Sequence, residues 1–283
     1  MSVSLPSLSL PGVLGLSFFG GSAALIAVHG YLKYAYGPTP EIRREGMDEL
    51  TDVLIGAVTL GALYALLIVN PILPTITHDI ASAIPVGNST LAANLPPTNN
   101  STALLQWSYM EAEHYFYKLA GFYSSFWATV ISLSSIPWTA PLGWYAQQAT
   151  WYLQTMVTYT LVNLGFLYAL SLVAYNVWWA LPLGIGLMII RQTRSVGAFI
   201  VVFLTVISIA APLLTAYTVA VLRGPIHQLS VLNPQLIITS GYPYAMVMQT
   251  YDVTLDIALA LTLAASYGLY RVFNEEVLDI IPI

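Results

Sequence analysis

Cysteine is absent from all 283 residues. That excludes a disulfide framework, thiolate catalysis and a Cys-ligated metal site. Charge is scarce as well. Eight Lys and Arg with 13 Asp and Glu make up 7% of the chain, against roughly 25% in an ordinary soluble domain. A soluble protein of this size needs a charged shell, so most of this surface must face something other than water. The net charge is −5, which excludes a nucleic-acid-binding domain of the usual basic kind. No Walker A loop, no GxGxxG opening a helix and no Ser/His/Asp motif context is present. Gly184 and Gly186 sit in a run too short and too apolar for a phosphate loop. The chain therefore reads as non-enzymatic and free of cofactors. Its four histidines (His29, His78, His114 and His227) form no HxxxH pair. Glu111 and His114 make one E-x-x-H, half of a carboxylate metal site, but no second such motif exists, so no metal is expected.

What the chain has is apolar length. Hydrophobic residues make up 57% and the mean hydropathy is +0.73. These values predict an all-α polytopic helical transmembrane bundle as a single domain. The predicted spans are 12–36, 53–73, 115–136, 142–162, 165–190, 196–222 and 245–271. An inner loop covers 37–52 and an outer loop 74–106. Two stretches leave the count open. Residues 115–162 make either two spans or an outer re-entrant hairpin broken by Pro137 and Pro141. Residues 155–190, fully helical, would be about 54 Å long, too long for one untilted span. Either a turn lies near Asn163-Leu-Gly165, or a long helix kinks at Pro182. Seven spans is the leading reading and five the alternative.

Sidedness follows from the few basic residues. Lys33, Arg43, Arg44, Arg191, Arg194 and Arg271 fall on one side of this arrangement; Lys118 and Arg223 fall on the other. The bias toward cytoplasmic Lys and Arg puts the larger group inside. The N-terminus is then outside and the C-terminus inside a cell membrane, with an odd number of spans. No Lys or Arg precedes Lys33, so the first apolar run reads as a retained span and not a secretory signal. The outer loop carries three glycosylation sequons, at Asn88, Asn99 and Asn100.

Two acids attract attention. Asp252 and Asp256 are four apart, on one face of the last helix. Asp256 falls near mid-membrane, where an acid costs about 2.5–3.5 kcal/mol on insertion scales and needs a partner or water. The pair is either a proton or cation relay, or a packing device bonded to Thr, Tyr or Asn of neighbouring helices. Ala57, Gly61 and Ala65 form a small-residue face that permits close helix approach. The cytoplasmic basic positions Arg43, Arg44, Arg191 and Arg194 are topology signals or a docking surface for an acidic partner.

One stretch carries a resemblance. Leu181–Tyr217 contains Pro182-Leu183-Gly184, Arg191, Thr193-Arg194, Gly197-Ala198 and, after a long apolar run, Pro212. It resembles the late core of the CedA family, polytopic subunits of the crenarchaeal DNA-exchange (Ced) system. More distantly it resembles TrbL-like inner-membrane subunits of bacterial conjugation machines. The likeness covers 37 of the 283 residues. It implies an archaeal channel or platform subunit of a DNA-import or conjugation-type (type IV secretion-like) machine. Such a subunit works at the base of a pilus, with a separate hexameric VirB-type or HerA-like ATPase, small pilin-like membrane proteins and single-stranded DNA, as a homo-oligomeric ring. With no basic lining, this chain would not hold DNA by phosphate neutralisation alone; stacking on aromatic side chains is one sequence-tolerant route. The competing reading is a small-solute or ion transporter using Asp252 and Asp256. Inverted repeats would favour it, and the two halves differ in aromatic and charge content. A third reading is a structural protein of a virus or envelope complex.

Overall fold

A computed structural model describes residues 10–69, 71–229 and 234–272. The acidic tail residues Glu275, Glu276 and Asp279 lie outside them. Eight α-helices carry the described fold: α1 (Leu10–Tyr36), α2 (Pro40–Tyr64), α3 (Ile72–Ala83), α4 (Ser101–Ser135), α5 (Ala140–Tyr175), α6 (Val177–Ile189), α7 (Arg194–Leu229) and α8 (Pro234–Val272). Five helices among the described residues (α1, α2, α5, α7 and α8) are long and apolar enough to cross a membrane. They mark a membrane protein of the all-α class, as expected.

Several boundaries differ from the sequence reading, each for a local reason. The inner loop 37–52 shrinks to 37–39. Thr39 caps α2 by accepting the Ile42 N–H, and Pro40 occupies the first helical turn, where its missing N–H costs nothing. The charged stretch is therefore helical. The outer loop 74–106 holds α3, a two-stranded hairpin (Pro85–Val86 with Ser89–Thr90), one 3-10 turn and the start of α4. Gly87 takes a positive φ of 58° in the hairpin turn, a conformation costly for other residues. Asn100 caps α4 by accepting the N–H groups of Thr102 and Ala103. No turn forms at Asn163-Leu-Gly165: α5 is continuous from 140 to 175 and the break falls at Asn176, so the expected spans 142–162 and 165–190 are not separate elements. Pro182 lies inside α6. It removes the N–H that would bond the carbonyl four residues back, which is that of Trp178. The Tyr64 hydroxyl of α2 donates to that carbonyl instead.

The helices run lengthwise through two successive cores. The first unites α3, α6 and the 198–216 part of α7, with flanking residues from α1 and α2. The second unites α4, α5, the 214–229 part of α7 and the 245–255 part of α8. Tyr217 packs against both. Contacts fix the directions. Phe199 meets Tyr270 and Thr218 meets Tyr251, so α7 and α8 are antiparallel and in step over 19 residues of each chain segment. Ser108 meets Thr215, and Lys118 lies with Arg223, so α4 rises alongside α7. Leu153 neighbours Gly241 and Thr160 neighbours Asp252, so α5 descends with α8. The 190–194 turn thus marks a near end and the 136–139 turn a far end. Adding helix rises along this path separates them by about 70 Å.

Close approaches hold the near end. A Cβ on Gly46 would strike the Gly30 carbonyl, and one on Gly197 would strike the Gly184 carbonyl and Met188 nitrogen. These glycines let α1 lie on α2 and α6 on α7, backbone to backbone. Gly61 has open space beside it and Ala57 is exposed, so at these two positions the small-residue face read from the sequence meets no other helix among the described residues. Gly56, one residue away from it, receives Ile189.

Candidate functional site

Three polar constellations stand out, at the near end, at the waist between the two cores, and along α8. At the near end, one turn of α1 and two of α2 bring together a dense cluster of the chain's scarce charges. Lys33 Nζ donates to Glu45 (3.0 Å) and to Glu49 (2.8 Å), and His29 Nδ1 lies 2.8 Å from the other oxygen of Glu49. Three residues further along α2, Asp52 has a side chain only 3% exposed. It pairs with Arg194 across the bundle, and Arg191 Nε stands 4.0 Å away. Asp52 Oδ1 and Arg194 Nε have no hydrogen-bond partner among the described residues. A cavity of about 950 Å³ opens beside this cluster, with Phe18, Ile26 and Ile189 on its apolar wall and Lys33, Glu49 and Arg191 on its polar one. The signs alternate along that wall, so the cavity has no net positive field with which to hold a polyanion.

The four basic positions expected on the cytoplasmic side form two sets, as their two inner turns in the sequence imply. Arg191 and Arg194 lie level with Asp52. Arg43 and Arg44 lie about 12 Å further along α2, where Arg43 donates to the Gly37 carbonyl (2.8 Å) and Arg44 is exposed.

At the waist, α4 and α7 enclose a second cavity of about 870 Å³. Glu111, His114 and Lys118 line one wall, Arg223 and His227 the other. The two basic residues assigned to the outer side from the sequence, 105 positions apart, therefore share one cavity. Below it Ser108, Ser171 and Thr215 join three helices through buried hydroxyls at 2.8 and 3.3 Å.

Along α8, the acid pair is engaged by α5. Asp252 is 1% exposed. Its carboxylate accepts the Thr160 hydroxyl at 2.7 Å and the Asn163 amide at 3.2 Å. Asp256 accepts the Tyr159 hydroxyl at 2.6 Å. The two carboxylates share one helix face and bond to the same stretch of α5, residues 159–163. Neither large cavity reaches them.

Asn88 and Asn99 are exposed beside and beyond the small hairpin, and Asn100 is the exposed cap of α4. The sequence reading missed the His29–Glu49–Lys33 cluster and the Asp52–Arg194 pair. A signal existed for the first: His29 and Lys33 are four apart, as are Glu45 and Glu49, which puts each pair on one helix face. Nothing local in the sequence marks the second. No family model, no curated protein and no solved structure matches the chain.

Proposed function

We propose that the chain is a non-enzymatic membrane platform subunit of a DNA-transfer machine of the conjugation type. In this reading it crosses the cell membrane five times, N-terminus outside and C-terminus inside. The spans are α1, α2, the end of α5 with α6, and the near-end portions of α7 and α8. The helix directions support it, because α4 begins where α2 ends and continues away from the near end before α5 returns. The basic turn 191–194 then faces inward and the sequon loop outward. A hexameric VirB-type or HerA-like ATPase would supply the energy from the inner side.

The observation that carries the platform reading over a transporter is the burial of Asp252, which Thr160 and Asn163 enclose, with the half-buried Asp256 bonded to Tyr159. A relay needs a carboxylate open to water or ion; these two are engaged in helix packing. Both large cavities are lined by charges of both signs, and DNA would pass between copies in a ring or through a partner. The DNA-transfer part rests on the resemblance of 181–217. Its support is that the residues carrying that pattern, Gly184 and Gly197, are those that allow the α6–α7 hairpin to close.

The test is genetic and biochemical. Deleting the gene should abolish acquisition of marker DNA by the cell, and unchanged acquisition refutes the reading. Arg43→Glu with Arg44→Glu, at the exposed tip, should leave membrane insertion intact and weaken co-purification of the ATPase by about tenfold, the worth of one lost charge contact.

A further inference from the structure

We infer that the far tip of the α4–α5 hairpin enters a second lipid surface, apart from the bilayer that the near end crosses. The inference rests on the five-span topology proposed above. Its first premise is length. The near and far ends lie about 70 Å apart by helix rise, whereas a bilayer with its headgroups is ~40–45 Å thick. Between the two ends stands a polar waist, carrying Glu111, Lys118 and Arg223. A membrane that holds α1 and α2 therefore stops short of the 136–139 turn.

The second premise is the chemistry of the tip. Residues 119–158 include no Asp, Glu, Lys, Arg or His. Trp138 is 91% exposed and Trp144 66%. Ile131, Leu142 and Tyr145 are exposed with them. On α5, successive exposed positions 142, 144 and 145 fall on different sides of the helix, since each residue turns it by ~100°. A second copy of the chain would cover one stripe. Apolar exposure on the sides left free by α4, which Gly143 meets at Ser134, suits lipid, which surrounds the hairpin.

The third premise is that the backbone and hydroxyls around the turn need no water, the exposed Gln148 amide lying about 12 Å back along α5. Ser124, Thr129, Ser132, Ser134, Thr150 and Thr155 each donate to a carbonyl of their own helix, three or four residues back. In the turn itself, Thr139 donates its hydroxyl to the Leu133 carbonyl at 2.7 Å, and the Thr139 and Ala140 N–H groups both bond to Ile136. Pro137 and Pro141 have no N–H to satisfy. Backbone and hydroxyl groups settled inside the segment are the condition for entering hydrocarbon. α8 starts at Pro234, about 10 Å beyond Gly241 toward the tip, and the hairpin projects a further ~10 Å past it, enough to cross a headgroup layer and bring the tip to the edge of the hydrocarbon without spanning it. Trp and Tyr at the tip match the depth where such rings rest.

Because the chain has no native cysteine, one introduced thiol reports cleanly. The full chain is reconstituted in liposomes with Trp138→Cys, and with Asn88→Cys as the reference for the same side. Protein-free phosphatidylcholine vesicles are then added. The expected result is that both thiols react with a membrane-impermeant maleimide beforehand. Afterwards the thiol at 138 alone becomes protected, and the two vesicle populations float together. Trp138→Glu with Trp144→Glu should cut that capture roughly a hundredfold, as placing charge in lipid demands. Labelling at 138 that is unchanged by acceptor vesicles, with no co-flotation, overturns the inference and leaves the topology standing. Capture only of vesicles that also carry the chain overturns it in favour of a second copy. A thiol at 138 that is unreactive before any vesicle is added, while that at 88 reacts, refutes the five-span topology and the inference with it.

Discussion

Replacing Asp252 separates a packing role from a relay. Asp252→Ala deletes the acceptor of two donors, the Thr160 hydroxyl and the Asn163 amide, at a site 1% exposed. Leaving a buried donor unpaired costs ~1–3 kcal/mol, so two give an upper figure of about 6. Hydrogen bonds between helices in membranes average ~0.6 kcal/mol, because the unfolded chain in lipid also finds partners; two give a lower figure of about 1. The expected loss for alanine is therefore about 2–4 kcal/mol, intermediate between these limits. Asparagine keeps an acceptor oxygen for either donor and adds an amide that Thr160 can accept from, so Asp252→Asn should cost under ~1 kcal/mol. Thermal unfolding in detergent, followed by tryptophan fluorescence, gives the ranking. A double-mutant cycle with Thr160→Val should show a coupling of at least ~0.5 kcal/mol, since the two side chains touch. The reasoning fails if Asp252→Asn abolishes DNA acquisition while leaving stability intact. A neutral isostere that folds but does not work would make the carboxylate's proton or charge its function. It fails too if alanine and asparagine are equally mild.

Other expectations follow from the near end. Asp52→Ala leaves the Arg194 guanidinium half-enclosed without its carboxylate, and breaking such a pair costs roughly 3–5 kcal/mol; the exchange Asp52→Arg with Arg194→Asp should recover part of it. A Tm for Asp52→Ala within ~2 °C of the native value would contradict this. Gly197→Leu drives a side chain into the Gly184 carbonyl, backbone that has nowhere to move. It should reduce monodisperse protein on size-exclusion chromatography sharply, whereas Gly61→Leu, facing open space, should not. Tyr64→Phe strands the Trp178 carbonyl opposite Pro182 and should lower stability by ~1–3 kcal/mol; equal unfolding temperatures for Phe and Tyr would show that another donor fills that place.

The helices were legible where periodicity and termination agreed. α1 ends one turn after Lys33, at the expected place, because Gly37 and the Thr39 cap stop one helix and start the next. The α5–α6 break was not legible. Asn163 and Gly165 look like a turn in isolation, but Asn163 is occupied as a donor to Asp252 and Gly165 faces Phe116 across α4. Tertiary contact overrode local signal there. The same contact decides the acid pair. Spacing alone puts Asp252 and Asp256 on one face, but only the neighbour's identity says what that face meets. The loop 74–106 was misread because polar composition hides short elements: α3, the hairpin and the α4 cap are each specified by a few residues, such as Gly87 and Asn100. The Asp52–Arg194 pair joins residues 142 positions apart, and no window of sequence holds both.

That separation has a consequence for how the chain is made. Synthesis proceeds at ~5–20 residues per second, so about 7–28 s pass between the emergence of Asp52 and that of Arg194. The α1–α2 hairpin can close early, since Gly30 and Gly46 are near neighbours in sequence and meet directly. It must then wait in the insertion machinery or bilayer with a carboxylate and no counter-ion. A nascent chain stalled before residue 194 would expose an orphan acid to membrane quality control, and one released after it would not. The buried pair can thus close only after four more helices have followed the first two.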